Sequence, residues 1–116
     1  MIIDSSKLQS HIMYALSDSH MHKILKCTSI SDKSATAIIQ EQRLPYSTAY
    51  KKIAELVKWG LLVPYRAEIV EGKRVAYYKS TFRSINVKFE GMLQTKVEAE
   101  PNIDALERLS MRFYDL

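Results

Sequence analysis

The sequence predicts an α+β fold, and three observations predict it. Apolar residues recur at helical spacing from Leu8 to Val57, the spacing drops to two after Gly60, and helical spacing returns after Pro101. Residues three and four apart share a helix face, whereas alternate residues share a strand face, so each change of period marks a change of element. The elements follow one another through short local connections, as expected of segregated helices and hairpins.

The first helix is read from "DSSKLQSHIMYALS", with Leu8, Ile12, Ala15 and Leu16 on one face and Asp4, Ser5 or Ser6 as its cap. Ser17 or Asp18 breaks the helix and caps a second one carrying Met21, Ile24 and Leu25. A third helix carries Ala35, Ile38 and Ile39 behind a cap at Ser31 or Asp32. Leu44-Pro45 interrupts it, because the residue before a proline avoids the helical region. The next helix is expected over about 47–59, capped by Ser47, with Ala49, Ile53, Leu56 and Val57 facing inward. Gly60 ends it, since glycine accepts the left-handed conformation of a helix C-terminus.

"LLVPYRAEIV" and "RVAYYKS" flank Glu71-Gly72-Lys73 and read as a hairpin. "SINVKFE" alternates, which places Ile85, Val87 and Phe89 inward and Asn86 and Lys88 outward. Gly91-Met92 turns that strand toward "LQTKVEAE" in a second hairpin. Pro101 stops the sheet, and Asn102 caps a last helix with Ile103, Leu106, Leu109 or Ser110, and Phe113 on one stripe.

Composition narrows the function classes. A chain of 116 residues has about the length of one domain and buries a core without staples. Its longest apolar runs fall far short of a membrane span. Asp4 near the start, with no apolar stretch behind it, does not fit a signal peptide. The single cysteine, Cys27, excludes an internal disulfide and fits a cytoplasmic protein. Cys27 has no ligand spacing with His11, His20 or His22, so no metal site and no cofactor is expected. No nucleophile–base pair, phosphate-cradling glycine loop or carboxylate pair stands out, so the chain is not read as an enzyme. Charge is uneven: residues 33–83 hold ten Lys or Arg against four Glu, a net +6, while 1–32 are neutral and 84–116 are −2. That segment suits a polyanion, although a solvated face has the same composition.

Two helices joined by a short turn and followed by a hairpin form the winged helix-turn-helix plan. The stretch "SATAIIQEQRLPYSTAYKKIAELVKWGLLVPYR" resembles ArsR-type and related archaeal winged-helix regulators. The matching features are Ala37-Ile38-Ile39, the turn Leu44-Pro45-Tyr46, Ser47-Thr48-Ala49-Tyr50, and Leu56 through Trp59-Gly60-Leu61-Leu62. The resemblance covers roughly 17–83 and departs from the metal sensors of that group, which use Cys and His clusters. On this reading residues 1–116 are a single domain. It comprises an N-terminal helix at 1–16, a winged core at 17–83, and a second hairpin and terminal helix at 84–116.

The resemblance implies a transcriptional regulator that binds double-stranded DNA sequence-specifically. The helix at 47–59 would enter the major groove, and the wing at 71–74 would lie on the adjacent minor groove or backbone. Tyr46, Ser47, Thr48, Tyr50, Lys51 and Lys52 crowd one end of that helix, where orphan N–H groups and the dipole favour phosphate. Lys73 and Arg74 are the contacts expected from the wing. Each has a plainer alternative: Tyr46 packs on Pro45, the Ser47 hydroxyl is consumed as the cap, and the wing is a solvated turn. Glu55 is expected to pair with Lys51 or Lys58, and Trp59 to lie in the core or an interface.

Such regulators work as homodimers that meet successive major grooves. Leu8, Ile12, Leu16, Leu106, Leu109, Phe113 and Tyr114 on the terminal helices are the expected dimer surface, the alternative being that they cover the sheet. No membrane partner is expected, and the sequence names no small-molecule effector. Two rival readings remain: a winged helix serving as a protein-interaction module in a multi-subunit, transcription-related assembly, and a ligand-gated sensor using the C-terminal hairpin and helix.

Overall fold

The computed structural model describes residues 1–92 and 95–114, with side chains except at 111–114. Helix α1 (Ser6–Ser17) starts at Ser5, whose hydroxyl accepts from the Leu8 N–H. Helix α2 (Ser19–Cys27) starts at Asp18, whose carboxylate accepts from the Met21 N–H at 2.9 Å. Strand β1 (Lys33–Ser34) and helix α3 (Ala35–Gln42) follow. The cap of α3 is Ser34 rather than Ser31 or Asp32. Pairing of Lys33 with Tyr78 and Ser34 with Tyr77 keeps those two residues extended, so the helix begins only after them.

Helix α4 (Tyr46–Lys58) is the long helix of the helix-turn-helix unit, and it begins one residue earlier than expected. Pro45 is its N-cap, at φ −60° and ψ 133°, and no side chain caps it. Ser47 therefore lies inside the first turn and does not act as the cap. Proline suits this boundary because its fixed φ matches helix entry and it brings no N–H to satisfy. At the other end Gly60 has φ +77°, its N–H bonding to the Val57 carbonyl and the Leu61 N–H to that of Leu56. That is the Schellman closure expected of a glycine there.

Strands β2 (Leu62–Val70) and β3 (Lys73–Ser80) form the wing, and β1 completes an antiparallel sheet in the order β1-β3-β2. Glu71 and Gly72, both at positive φ, make its two-residue turn, which matches the twist of the strands. The register slips between Pro64 and Arg66. Proline cannot donate to the ladder, and the slip leaves Tyr65 unpaired and hydrogen-bonded to Asp104 instead. From Arg66 to Arg74 every residue of the hairpin is exposed, so the wing tip projects into solvent.

Strands β4 (Phe82–Lys88) and β5 (Lys96–Pro101) form the second hairpin, and helix α5 (Ile103–Tyr114) follows it. The N-terminal residues run along the free edge of β5, with the Ile3 N–H bonded to the Val97 carbonyl and the Ala99 N–H to that of Met1. Val97 and Ala99 are buried in the core, as is Ile3 of the paired segment. The expected inward stripe of β4 holds only at its start: Ile85 is half-buried, Val87 is 36% exposed, and Phe89 is 78% exposed.

The core joins these parts. Ile12, Ala15, Met21, Ile24, Ile38, Ala49, Ile53, Leu56, Leu61 and Phe82 pack in one cluster with Val97 and Ala99. Truncating a fully buried member such as Leu56 to alanine costs about 2–5 kcal/mol. A buried polar knot sits beside it. Thr28 and Ser80 share a hydroxyl hydrogen bond of 2.9 Å, and the Asn102 amide donates to the Ser29 and Ser80 carbonyls, each at 2.8 Å. The end of α2, the end of β3 and the start of α5 meet there.

Candidate nucleic-acid interface

Helix α4 divides cleanly into two faces. Ala49, Ile53 and Leu56 are buried, and that leaves Tyr46, Ser47, Tyr50 and Lys51 exposed at the N-terminal end, with Thr48 half-buried between them. Tyr46 is 70% exposed, and its ring leans on that of Tyr50 with centroids 4.8 Å apart. The neighbouring Tyr50 hydroxyl raises the Tyr46 phenol above its ordinary pKa, so Tyr46 presents a neutral O–H group at pH 7. With no side-chain cap, the first N–H groups of α4 are not satisfied by a side chain of the turn. The Ser47 hydroxyl, relieved of the capping role, faces outward with them.

The cations of 33–83 sort by position. Lys33 pairs with Glu41, Lys52 with Asp18, Arg66 with Asp32 and Glu68, Lys79 with Asp104, and Arg83 with Glu100. Arg66 also lies over the Tyr77 ring at 4.0 Å, and its carboxylate partners raise its pKa further. Of these cations, Lys33, Lys52, Arg66 and Lys79 are held at 3.2 Å or less, whereas the Arg83 contact is loose, at 3.8 Å between two side chains that are more than half exposed. Among the described residues, Arg43, Lys51, Lys58, Lys73 and Arg74 have no carboxylate partner. Of these, Lys51 is on the exposed end of α4, Arg43 is in the turn before it, and Lys73 and Arg74 are on the wing; Lys58 lies at the far end of α4.

Lys52 is thus placed differently from its expected neighbours. Its ammonium is 2.8 Å from Asp18 and 5.8 Å from the centre of the Tyr14 ring, and the Asp18 hydrogen bond raises its pKa. It ties α4 to the α1–α2 corner. Glu55 pairs with neither Lys51 nor Lys58, and its charge instead helps raise the pKa of Lys52. Trp59 lies in the packing between α1 and α4, stacked on His11 at 4.4 Å and edge-on to Tyr14.

Arg43 is the residue that sequence reasoning missed. It is exposed and holds φ 54°, a left-handed conformation that a side chain adopts only at some cost. The signal was its position immediately before Leu44-Pro45, where α3 has to close and the chain has to turn.

The expected dimer surface divides as well. Ile12 is fully buried in the core and cannot contact a second copy. Leu8 and Leu16 pack against the core from its edge. Leu8, Leu106 and Leu109 line a cleft of about 500 Å³ together with Val57 and Trp59. The side chains of Phe113 and Tyr114 lie outside the described residues.

Among the described residues no group of three or more His, Cys, Asp or Glu is placed to hold a metal ion. No helix among them is long and apolar enough to cross a membrane.

The chain is similar in structure to the homodimeric winged helix-turn-helix DNA-binding domain of a possible ArsR-family transcriptional regulator from Mycobacterium bovis. The two are 19% identical, the match covers 69% of this chain and 75% of that one, and the TM-score is 0.49. No family model and no curated protein matches the chain. At that level the likeness transfers no residue role, and the winged helix-turn-helix architecture rests on the element order and strand register above.

Proposed function

We propose that the protein is a cytoplasmic DNA-binding transcriptional regulator that works as a homodimer, with α4 as its recognition helix. The observation that supports this most is the sorting of charge. Within 33–83, Lys33, Lys52, Arg66, Lys79 and Arg83 pair with carboxylates, while Arg43, Lys51, Lys73 and Arg74, around the α4 N-terminus and on the wing, have no such partner among the described residues; Lys58, at the far end of α4, is the exception to this sorting. A polyanion is the partner that such an arrangement suits.

Tyr46, Ser47, Thr48 and Tyr50 supply donors and acceptors for phosphates and base edges in the major groove, and Lys51 supplies phosphate charge. The uncapped N–H groups of α4 add to the same field. Lys73 and Arg74 reach the neighbouring minor groove or backbone from the wing tip. Lys52 acts in holding the helix rather than in reading DNA.

Selection of bound duplexes from a random pool, followed by salt titration of the best one, tests this. Arg43→Ala and Lys51→Ala should each lower the slope of log K against log salt by about one unit. Lys52→Ala should leave the slope unchanged. Absence of any duplex affinity, or a slope lowered equally by Lys52→Ala, refutes the assignment. The rival protein-interaction role draws on exposed Phe89 and Met92 at the second hairpin, and that hairpin should be dispensable for duplex affinity.

A further inference from the structure

A cavity of about 280 Å³ opens between α1, α2 and the start of β4, at the seam between the helix-turn-helix unit and the second hairpin. Its floor is apolar, formed by Leu25, Leu61 and Phe82. Its polar lining carries two cations, Lys26 and Arg83, with His22, Ser29 and Ser84, and among the described residues includes no carboxylate. Lys26 has no carboxylate partner among the described residues. Arg83 has a loose one, Glu100 at 3.8 Å, both side chains being more than half exposed. Glu100 also accepts a hydrogen bond from Ser84 at 3.4 Å and does not itself line the cavity.

We propose that this cavity binds a small amphiphilic carboxylate, its hydrocarbon part on the leucine and phenylalanine floor and its carboxylate between Lys26 and Arg83. Both halves of the assignment come from the lining. An apolar floor with a few convergent polar groups is the usual composition of a ligand site, and the volume is just under the usual range for such sites, enough for a single ring or a short chain. Two cations with no carboxylate between them select an anionic head over a neutral or cationic one. The guanidinium of Arg83 suits a carboxylate because its paired N–H groups match the two oxygens. Such a ligand would bridge α2 and β4, so it would bear on the position of the second hairpin relative to the DNA-reading unit. The binding itself does not depend on DNA.

The test titrates the full chain with cyclohexanecarboxylate, and with cyclohexylmethanol and cyclohexylmethylamine as neutral and cationic counterparts, following amide shifts by NMR. Saturable shifts are expected at Leu25, Phe82 and Ile85, with the carboxylate binding tightest of the three. Lys26→Gln and Arg83→Gln should each weaken the carboxylate about two- to fivefold, as loss of a half-exposed charge contact does, and leave the alcohol unchanged. Glu100→Gln, which releases Arg83, should strengthen carboxylate binding. Equal binding of acid and alcohol, shifts centred elsewhere, or no saturation by any of the three overturns the proposal. Unchanged alcohol binding in the variants shows that the cavity itself is intact.

Discussion

Asp18 has two partners that can be separated by substitution. One carboxylate oxygen caps α2 through the Met21 N–H, and the other meets Lys52 at 2.8 Å. The Lys52 hydrogen bond, followed by that of Met21, holds the Asp18 pKa below 3.8 against the opposing effect of burial. A carboxyl whose folded pKa is depressed stabilises the fold fully above its unfolded pKa, and loses that contribution as pH falls through the lowered folded value. Asp18→Asn keeps an acceptor for the cap and removes the charge, so it should cost about 0.5–1 kcal/mol at pH 7 and little at pH 2. Asp18→Ala should cost about a further 1 kcal/mol at both, because the cap is lost as well. Urea denaturation of the three proteins at the two pH values measures the difference. Cys27 gives a second check at this scale. Burial pushes its thiol up to about 11, and its Sγ donates to the Ile24 carbonyl. The thiolate is the reactive form, so a thiol reagent at pH 8 should modify the native chain slowly and the urea-unfolded chain quickly.

Among the elements, Asn102 has the greatest effect on how separate pieces join. Its amide reaches the ends of α2 and β3 while its backbone starts α5, and it is buried. Asn102→Ala leaves two carbonyls without their donor and should cost about 1–3 kcal/mol. Asn102→Asp sets a carboxylate against those same carbonyls and should cost more, in the same thermal or urea unfolding measurement. A purely steric role predicts the reverse order. The sequence made the elements legible where a face repeats: Ile12, Ile24, Ile38 and Ile53 are all buried on the helices their spacing assigned. It did not show β1, which is two residues long and exists only through pairing with Tyr77 and Tyr78 across the chain. Nor did it show that Ser47 is not a cap, because Ser47 and Pro45 both fit a helix start and the choice depends on where the turn closes. The placement of Lys52 was hidden for a related reason. Its partner, Asp18, lies 34 positions away, and no local pattern connects them. Phe89 obeys the strand period, but none of the described residues covers it.

For the whole molecule the remaining quantity is the number of copies on the duplex. A twofold dimer sets its two recognition helices roughly 34 Å apart, one turn of DNA, and its binding site is then a palindrome. On the proposed homodimer reading the terminal helices would supply the surface, in a narrower form than their apolar spacing indicated. Ile12 belongs to the core and Leu16 opens onto the cavity beside α2, whereas Leu8, Leu106 and Leu109 line the cleft over Trp59. A second copy would cover that half-exposed apolar lining. Introducing a charge there should oppose association while leaving the Ile12–Leu56 core untouched. Leu106→Glu, with Leu109 retained to pack against Gly60, should convert a dimer into a monomer in sedimentation equilibrium. Its melting temperature at low concentration should stay close to that of the parent, and it should bind a duplex with two half-sites no better than a duplex with one. Dimer symmetry is refuted if the parent chain sediments as a monomer both free and on a two-half-site duplex. The choice of this cleft is refuted if Leu106→Glu dimerises as the parent does.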